Sequence, residues 1–271
     1  MKKIVLLLVI LLLLTCGCSP AEKNNEIIIA LLDTGVSSIA IKGENILKGW
    51  NYVTDTSDTE DRINHGTAVT SVILGCESAD VTGISPTAHI VPLVVTDKVE
   101  GKATAISPET LAKVIRDSVD KYGASIINVS LGIKKDVPEL REAIEYVQKK
   151  GALVIAAAGN SGDDELYYPA AYDGVLTVGS HDKDMEISSF TQQNDTVDIL
   201  APGEDIWLAS RNGKTYGARG TSYATGFVTA KAVSLWEENP KLSAKDIKKI
   251  ILEDALDVDD WKILNTSEGN K

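Results

Sequence analysis

An α/β domain, with a mostly parallel central sheet flanked by helices, is the fold class this sequence predicts, and three observations carry it. The aliphatic runs Ile27 to Leu32, Ile90 to Val95, Ser125 to Val129, Ala152 to Ala156 and Val175 to Val178 are short and continuous, the pattern of strands buried on both faces. Helical patterns alternate with them at Pro108 to Tyr122, Pro138 to Lys149, Thr221 to Glu237 and Ser243 to Glu253. Of the 271 residues, about 250 remain once an N-terminal leader is set aside, a length that suits one large domain.

The leader comes first. Met1-Lys2-Lys3 and the eleven-residue apolar run Ile4 to Leu14 read as a secretory signal, too short for a permanent span. Thr15-Cys16-Gly17-Cys18-Ser19 follows, similar to a bacterial lipobox, in which a cysteine becomes the lipidated first residue. Cys18, behind Gly17, fits better than Cys16, behind Thr15; the alternative is a plain secretory signal. Diacyl modification would anchor the protein stably. Residues 1–18 are therefore expected to be signal peptide and lipobox, 19–26 a short tether, 27–255 the folded domain and 256–271 a C-terminal tail. The expected location is the outer face of a bacterial cytoplasmic membrane, with secretion as the alternative and a monomer as the assembly. Cys76 would then have no partner, so the domain must manage without a disulfide.

Charge excludes one class of partner. The formal net charge of −12 becomes −14 when Lys2 and Lys3 leave with the leader. Nucleic-acid binding needs clustered positive charge, so none is expected.

Within the domain, the first strand ends in Asp33-Thr34-Gly35, which places a carboxylate at the strand's C-terminal end, where α/β sheets gather their active sites. The acidic run Asp55 to Asp61 reads as a solvated loop, as does Asp163-Asp164-Glu165. His65 then heads an apolar helix with Gly66 directly behind it. Of the other two histidines, His89 leads into a strand and His181 lies in a polar stretch. Ser222, in Gly220-Thr221-Ser222, opens the helical run to Glu237, where a serine is either a helix cap or a nucleophile. The chain order aspartate, histidine, serine is one of three in which unrelated folds build the same catalytic triad.

These segments resemble the motifs of the subtilisin-like serine peptidases, from about Ile27 to about Leu252. Asp33-Thr34-Gly35, His65-Gly66-Thr67 and Gly220-Thr221-Ser222 are similar to the family's aspartate, histidine and serine motifs. Ala156 to Gly162 and Asn128 to Gly132 fall between them in family order, with Tyr168-Pro169-Ala170 and Asp198 to Gly203 further on. The resemblance implies a three-layer subtilisin-like fold and a serine endopeptidase in which Asp33 orients His65, His65 takes the proton of Ser222, and Ser222 attacks a peptide carbonyl. It further implies that Asn160 donates to the oxyanion. Ser130, Leu131, Gly132 and Ala157, Ala158, Gly159 would wall the pocket for the side chain before the scissile bond, with Tyr167 near its floor. The family often has glycine at that last position, so Tyr167 either fills the pocket and favours small side chains, or swings out and leaves Asp163, Asp164 and Glu165 to attract basic ones. Restricted cleavage of a peptide or protein substrate is expected, as in maturation of exported peptide precursors.

The chain departs from the pattern in three places. Gly226 and Phe227 stand where the family carries proline and histidine, which predicts a looser nucleophile turn. Only the fourteen residues Ser19 to Leu32 separate Cys18 from Asp33, which leaves no room for a propeptide. The calcium loop after the histidine helix is trimmed to Gly75 to Gly83 and offers few oxygens, so neither a metal nor any other cofactor is expected. Two other function classes stay open: a peptide-binding protein with weak or no turnover, and a triad acyl-transfer ligase or cyclase.

Overall fold

The computed structural model describes residues 26–266, so the expected signal peptide, Cys18 and nearly all of the tether lie outside the described residues. In chain order the strands are β1 (Ile28–Asp33), β2 (Trp50–Asn51), β3 (Gly75–Cys76), β4 (Val81–Thr82), β5 (His89–Val94), β6 (Thr96–Val99), β7 (Lys102–Ala105), β8 (Ile126–Val129), β9 (Leu153–Ala157), β10 (Leu176–His181), β11 (Ile199–Pro202), β12 (Ile206–Ala209), β13 (Thr215–Ala218), β14 (Leu256–Val258) and β15 (Trp261–Ile263). The helices are α1 (Gly66–Leu74), α2 (Pro108–Asp120), α3 (Pro138–Lys149), α4 (Thr221–Glu238) and α5 (Ala244–Asp254).

Nine strands make the central sheet in the order β14-β15-β11-β10-β9-β8-β1-β5-β2. Its pairings are parallel except β14 with β15. Successive side chains of a strand point to opposite faces, and β1 shows why its run is aliphatic throughout. Ile29 and Leu31 enter the core shared with α1, α4 and α5, while Ala30 and Leu32 enter the core shared with α2 and α3. That makes three layers. The helices start where local chemistry allows: Ser107 caps α2 by accepting from Thr110 N–H at 3.2 Å with Pro108 in the first turn, and Ser243 and Asp246 form a reciprocal capping box on α5.

The chain leaves β1 for β5 on one side and returns to β8 on the other. This reversal opens a crevice at the C-terminal ends of the strands, where α/β sheets bind ligands. Asp33 ends β1, Ser130 follows β8, and Asn160 lies three residues beyond β9.

One expectation is corrected here. Residues 256–271 are not simply a tail: Leu256 to Ile263 form the β14–β15 hairpin, which extends the main sheet. Ile263 pairs with Leu200, Leu264 N–H donates to Leu200 O at 2.8 Å, and both Ile263 and Leu264 are buried. Three-residue strands carry too little periodicity to be read from sequence, yet they cover the edge that β11 would otherwise expose.

Candidate active site

Asp33 is 4 % exposed at the end of β1, and its Oδ1 accepts from Thr34 N–H at 2.7 Å. The same oxygen lies 2.7 Å from His65 Nδ1. His65 is the N-cap residue of α1, held against the aspartate turn by backbone contact: a Cβ at Gly66 would lie 2.2 Å from Gly35 O. Only glycine permits that approach.

Asp61 builds the histidine loop. Expected as the end of a solvated run, it is 1 % exposed. Its Oδ1 accepts from Thr34 Oγ1, Ile63 N–H and Asn64 N–H at 2.9, 2.9 and 2.7 Å; its Oδ2 accepts from Thr67 N–H and Oγ1 at 2.9 and 2.7 Å. Thr34 Oγ1 closes the circuit by accepting from Gly66 N–H at 2.9 Å. A buried carboxylate persists only with its hydrogen bonds satisfied, and here the donors are the backbone that presents His65. The signal in the sequence is an aspartate four residues before the histidine with a threonine two after it.

His65 is more basic than an ordinary imidazole. Burial, the largest influence, works to lower its pKa, but the charge and hydrogen bond of Asp33, with the more distant charge of Asp61, outweigh it and raise the pKa. Such a histidine accepts a proton readily, which is the task of a general base.

Ser222 is not a cap. Gly220 is the N-cap residue of α4, and Ser222 lies in the helix's first turn, 6 % exposed. In the resting structure its Oγ donates to Ser130 O at 3.2 Å rather than to His65. The expected nucleophile role would require that hydroxyl to leave Ser130 O and donate to His65 Nε2, a bond that tightens only with substrate in many apo sites. The Asn160 side chain is oriented by Thr221: its Oδ1 accepts from Thr221 N–H at 2.9 Å and from Thr221 Oγ1 at 3.1 Å, which leaves its amide Nδ2 to donate, as the expected oxyanion role requires. Asn160→Ala is expected to lower kcat by about 10²- to 10³-fold with KM nearly unchanged, as measured by steady-state hydrolysis of a chromogenic peptide. An equal rise in KM would make Asn160 a ground-state binder instead.

The residues expected to wall the pocket lie around the ends of β8 and β9. Ala157 and Ala158 are buried, and Ala158 N–H donates to Val178 O at 2.9 Å. Ser130 bridges β8 to the nucleophile helix, its Oγ lying 3.2 Å from Thr225 Oγ1, and the half-buried Leu131 packs on the core beneath α2 and α3. Tyr167 lies between the walls: a Cβ added at Gly132 would meet its Cβ at 3.2 Å, and one added at Gly159 would meet its Cδ2 at 3.0 Å. Its hydroxyl is 2.8 Å from Ser161 Oγ, and Lys134 Nζ sits 5.7 Å from its ring centroid. Two of the three nearby acids are engaged, Glu165 with Lys134 and Asp163 with the Gln192 amide, while Asp164 is exposed.

Gly226 does not loosen the nucleophile helix, which runs unbroken to Glu238. A Cβ there would lie 3.1 Å from Val72 Cβ, so glycine is what lets α4 pack closely on α1. His89 and His181 stand apart, the first opening β5 and the second ending β10 with its Nδ1 2.6 Å from Asp182 O. Cys76 is buried and free, its Sγ 3.2 Å from Ala40 O. The trimmed loop closes as the β3–β4 hairpin, and among the described residues no group of three or more His, Cys, Asp or Glu is disposed to hold a metal.

Comparison with known proteins identifies the family and the fold. The family model described as "Subtilase family" matches residues 24–270. The Major intracellular serine protease of Bacillus subtilis (strain 168) is 35 % identical over 265 residues, covering 92 % of this chain and 81 % of its own. Among solved structures, a cold adapted subtilisin-like serine proteinase superposes with a TM-score of 0.79 at 27 % identity, covering 89 % of each chain. The prenylagaramide maturation protease PagA superposes with a TM-score of 0.74 at 30 % identity, covering 87 % of this chain and 85 % of its own.

Proposed function

The chain belongs to the subtilase family and is a serine endopeptidase acting on peptide or protein substrates, and from that premise we propose that its cleavage is restricted to sites with small side chains before the scissile bond. The observation that carries this reading is Tyr167, whose side chain occupies the space between Gly132 and Gly159. The ion pair of Glu165 with Lys134 and the bond of Gln192 to Asp163 favour small side chains over basic ones, because those acids already have partners. A narrow duty such as maturing a peptide precursor suits such a pocket, and the likeness to PagA, described as a maturation protease, supports it.

Digestion of a peptide library by the wild type and by Tyr167→Gly tests the reading. The wild type is expected to cut after alanine, serine or glycine, and the variant to gain at least about tenfold in kcat/KM after leucine or phenylalanine. Indiscriminate wild-type cleavage after large apolar residues defeats it.

We further propose that the enzyme works on the outer face of a membrane, tethered through Cys18. The support is the apolar run Ile4 to Leu14 followed by Gly17-Cys18; among the described residues no helix is long and apolar enough to cross a membrane. Cys18→Ser is expected to move the activity from the membrane fraction to the soluble or unprocessed pool and to abolish palmitate incorporation. Unchanged fractionation and labelling would remove the tether from the proposal.

A further inference from the structure

Tyr223 directly follows the nucleophile in α4, yet it is turned toward the histidine. Its ring centroid lies 5.4 Å from that of His65, with the planes tilted by 35°, and it is 9 % exposed. Its hydroxyl lies near that of Tyr216 on β13, burial and that neighbour raise its pKa, and the Tyr216 hydroxyl donates to Asn64 O at 3.4 Å. The β12–β13 turn holds the same residue again, through Arg211 N–H to Asn64 Oδ1. Asn64 needs holding, since its φ of 84° is a conformation that non-glycine residues seldom adopt. His65 is therefore held at the backbone that precedes it, and its ring packs beside that of Tyr223.

We propose that Tyr223 is a positioning residue for the proton relay: its ring keeps the His65 imidazole between Asp33 and Ser222 and favours the imidazolium formed when Ser222 gives up its proton, with Tyr216 locking the ring in place. The proposal rests on the serine endopeptidase activity. In the step it serves, the Ser222 Oγ–carbonyl bond forms as the Oγ proton passes to His65 Nε2, and that proton later leaves with the departing amine. The face of an aromatic ring is negative and attracts a cation within about 6 Å of its centroid. The groups acting on His65 are Asp33 from β1, Asp61 from the loop before α1 and the Tyr223 ring, with Tyr216 from β13 beside Tyr223. Burial pushes both tyrosine hydroxyls above the usual phenol range, so the two remain neutral and Tyr223 acts through its ring. Asp33 supplies the charge that a helix N-cap position and burial oppose, and Tyr223 adds to it through its ring.

The full chain is compared with Tyr223→Leu, Tyr223→Met, Tyr223→Phe and Tyr216→Phe by kcat, KM and the pH profile of kcat/KM. His65 is also titrated by NMR in a Ser222→Ala background, where no turnover is needed. Leucine and methionine are expected to lower kcat about tenfold with KM within about twofold, and to move both the acid limb and the His65 midpoint down by about half a pH unit. Tyr223→Phe keeps the ring and is expected to hold the wild-type midpoint; Tyr216→Phe lowers kcat while leaving the midpoint near wild type. Methionine, unbranched and adaptable in a core, stands in should the leucine variant not fold. An unchanged His65 midpoint in the folded leucine or methionine variant, or an equal midpoint shift in Tyr223→Phe, overturns the proposal. A wild type that takes up no fluorophosphonate overturns the peptidase activity instead, and the NMR titration still decides the role of Tyr223.

Discussion

Ser222→Ala is expected to lower kcat by about 10⁶-fold while leaving the fold in place, a magnitude carried over from removal of the triad serine in subtilisin. The structure explains why so large a loss comes with so small a structural effect. In the resting state the Ser222 hydroxyl makes one hydrogen bond, to Ser130 O at 3.2 Å, and Ser130 remains tied to α4 through Thr225. Alanine at this position of a first helical turn costs no propensity, so the thermal midpoint should stay within a few degrees of wild type. Asn160, Thr221 and the pocket walls are untouched, which leaves a residual rate of about 10³- to 10⁴-fold over water from oxyanion stabilisation and binding. Incubation with a fluorophosphonate and intact-mass measurement checks the assignment: the wild type gains one adduct and the folded variant none. An adduct on folded Ser222→Ala would place the nucleophile elsewhere.

Much of this site was legible in the sequence because each part has a local signature. A continuous aliphatic run that ends in Asp33, a histidine followed by Gly66, and a serine two residues behind Gly220 are patterns of one segment each, and the parallel sheet does the rest by bringing strand ends together. What escaped sequence reading depends on pairs of segments. Asp61 looked like the last of a run of solvated acids, and only the approach of Thr34 and Thr67 shows that it is buried. Gly226 alone reads as a weakness in a helix, but Val72 of α1 lies against it. Tyr223 carried no signal, since nothing local says whether a residue after a helical serine faces solvent, core or histidine. The β12–β13 hairpin did carry one, Asn212-Gly213 in its turn, the dipeptide that favours tight reversals. The function of that hairpin, to hold Asn64, is again a property of two segments.

Asp33→Asn is expected to lower kcat by about 10⁴-fold at neutral pH, the effect of presenting a triad histidine with the wrong partner. Asp33 Oδ1 faces two donors, Thr34 N–H and the Nδ1 side of His65. An asparagine that places its NH₂ group where that oxygen stands gives up the Thr34 bond and turns a donor toward the imidazole. Nδ1 must then accept, the ring proton moves to Nε2, and no lone pair remains there to take the proton of Ser222. Electrostatics adds a second, separable signature. Burial lowers the pKa of His65 and Asp33 is the main opposing influence, with Asp61 behind it. The wild-type enzyme needs neutral His65, so its activity is lost as pH falls through a midpoint above the ordinary imidazole value of about 6.5. Removing the charge of Asp33 leaves burial opposed by the more distant Asp61 and the Tyr223 ring, so the midpoint of the acid limb moves down. A pH profile of kcat/KM for both proteins reads the two effects independently, one as the height of the plateau and the other as the position of its acid edge. A lowered plateau with an unmoved edge would mean that Asp33 orients His65 without setting its charge.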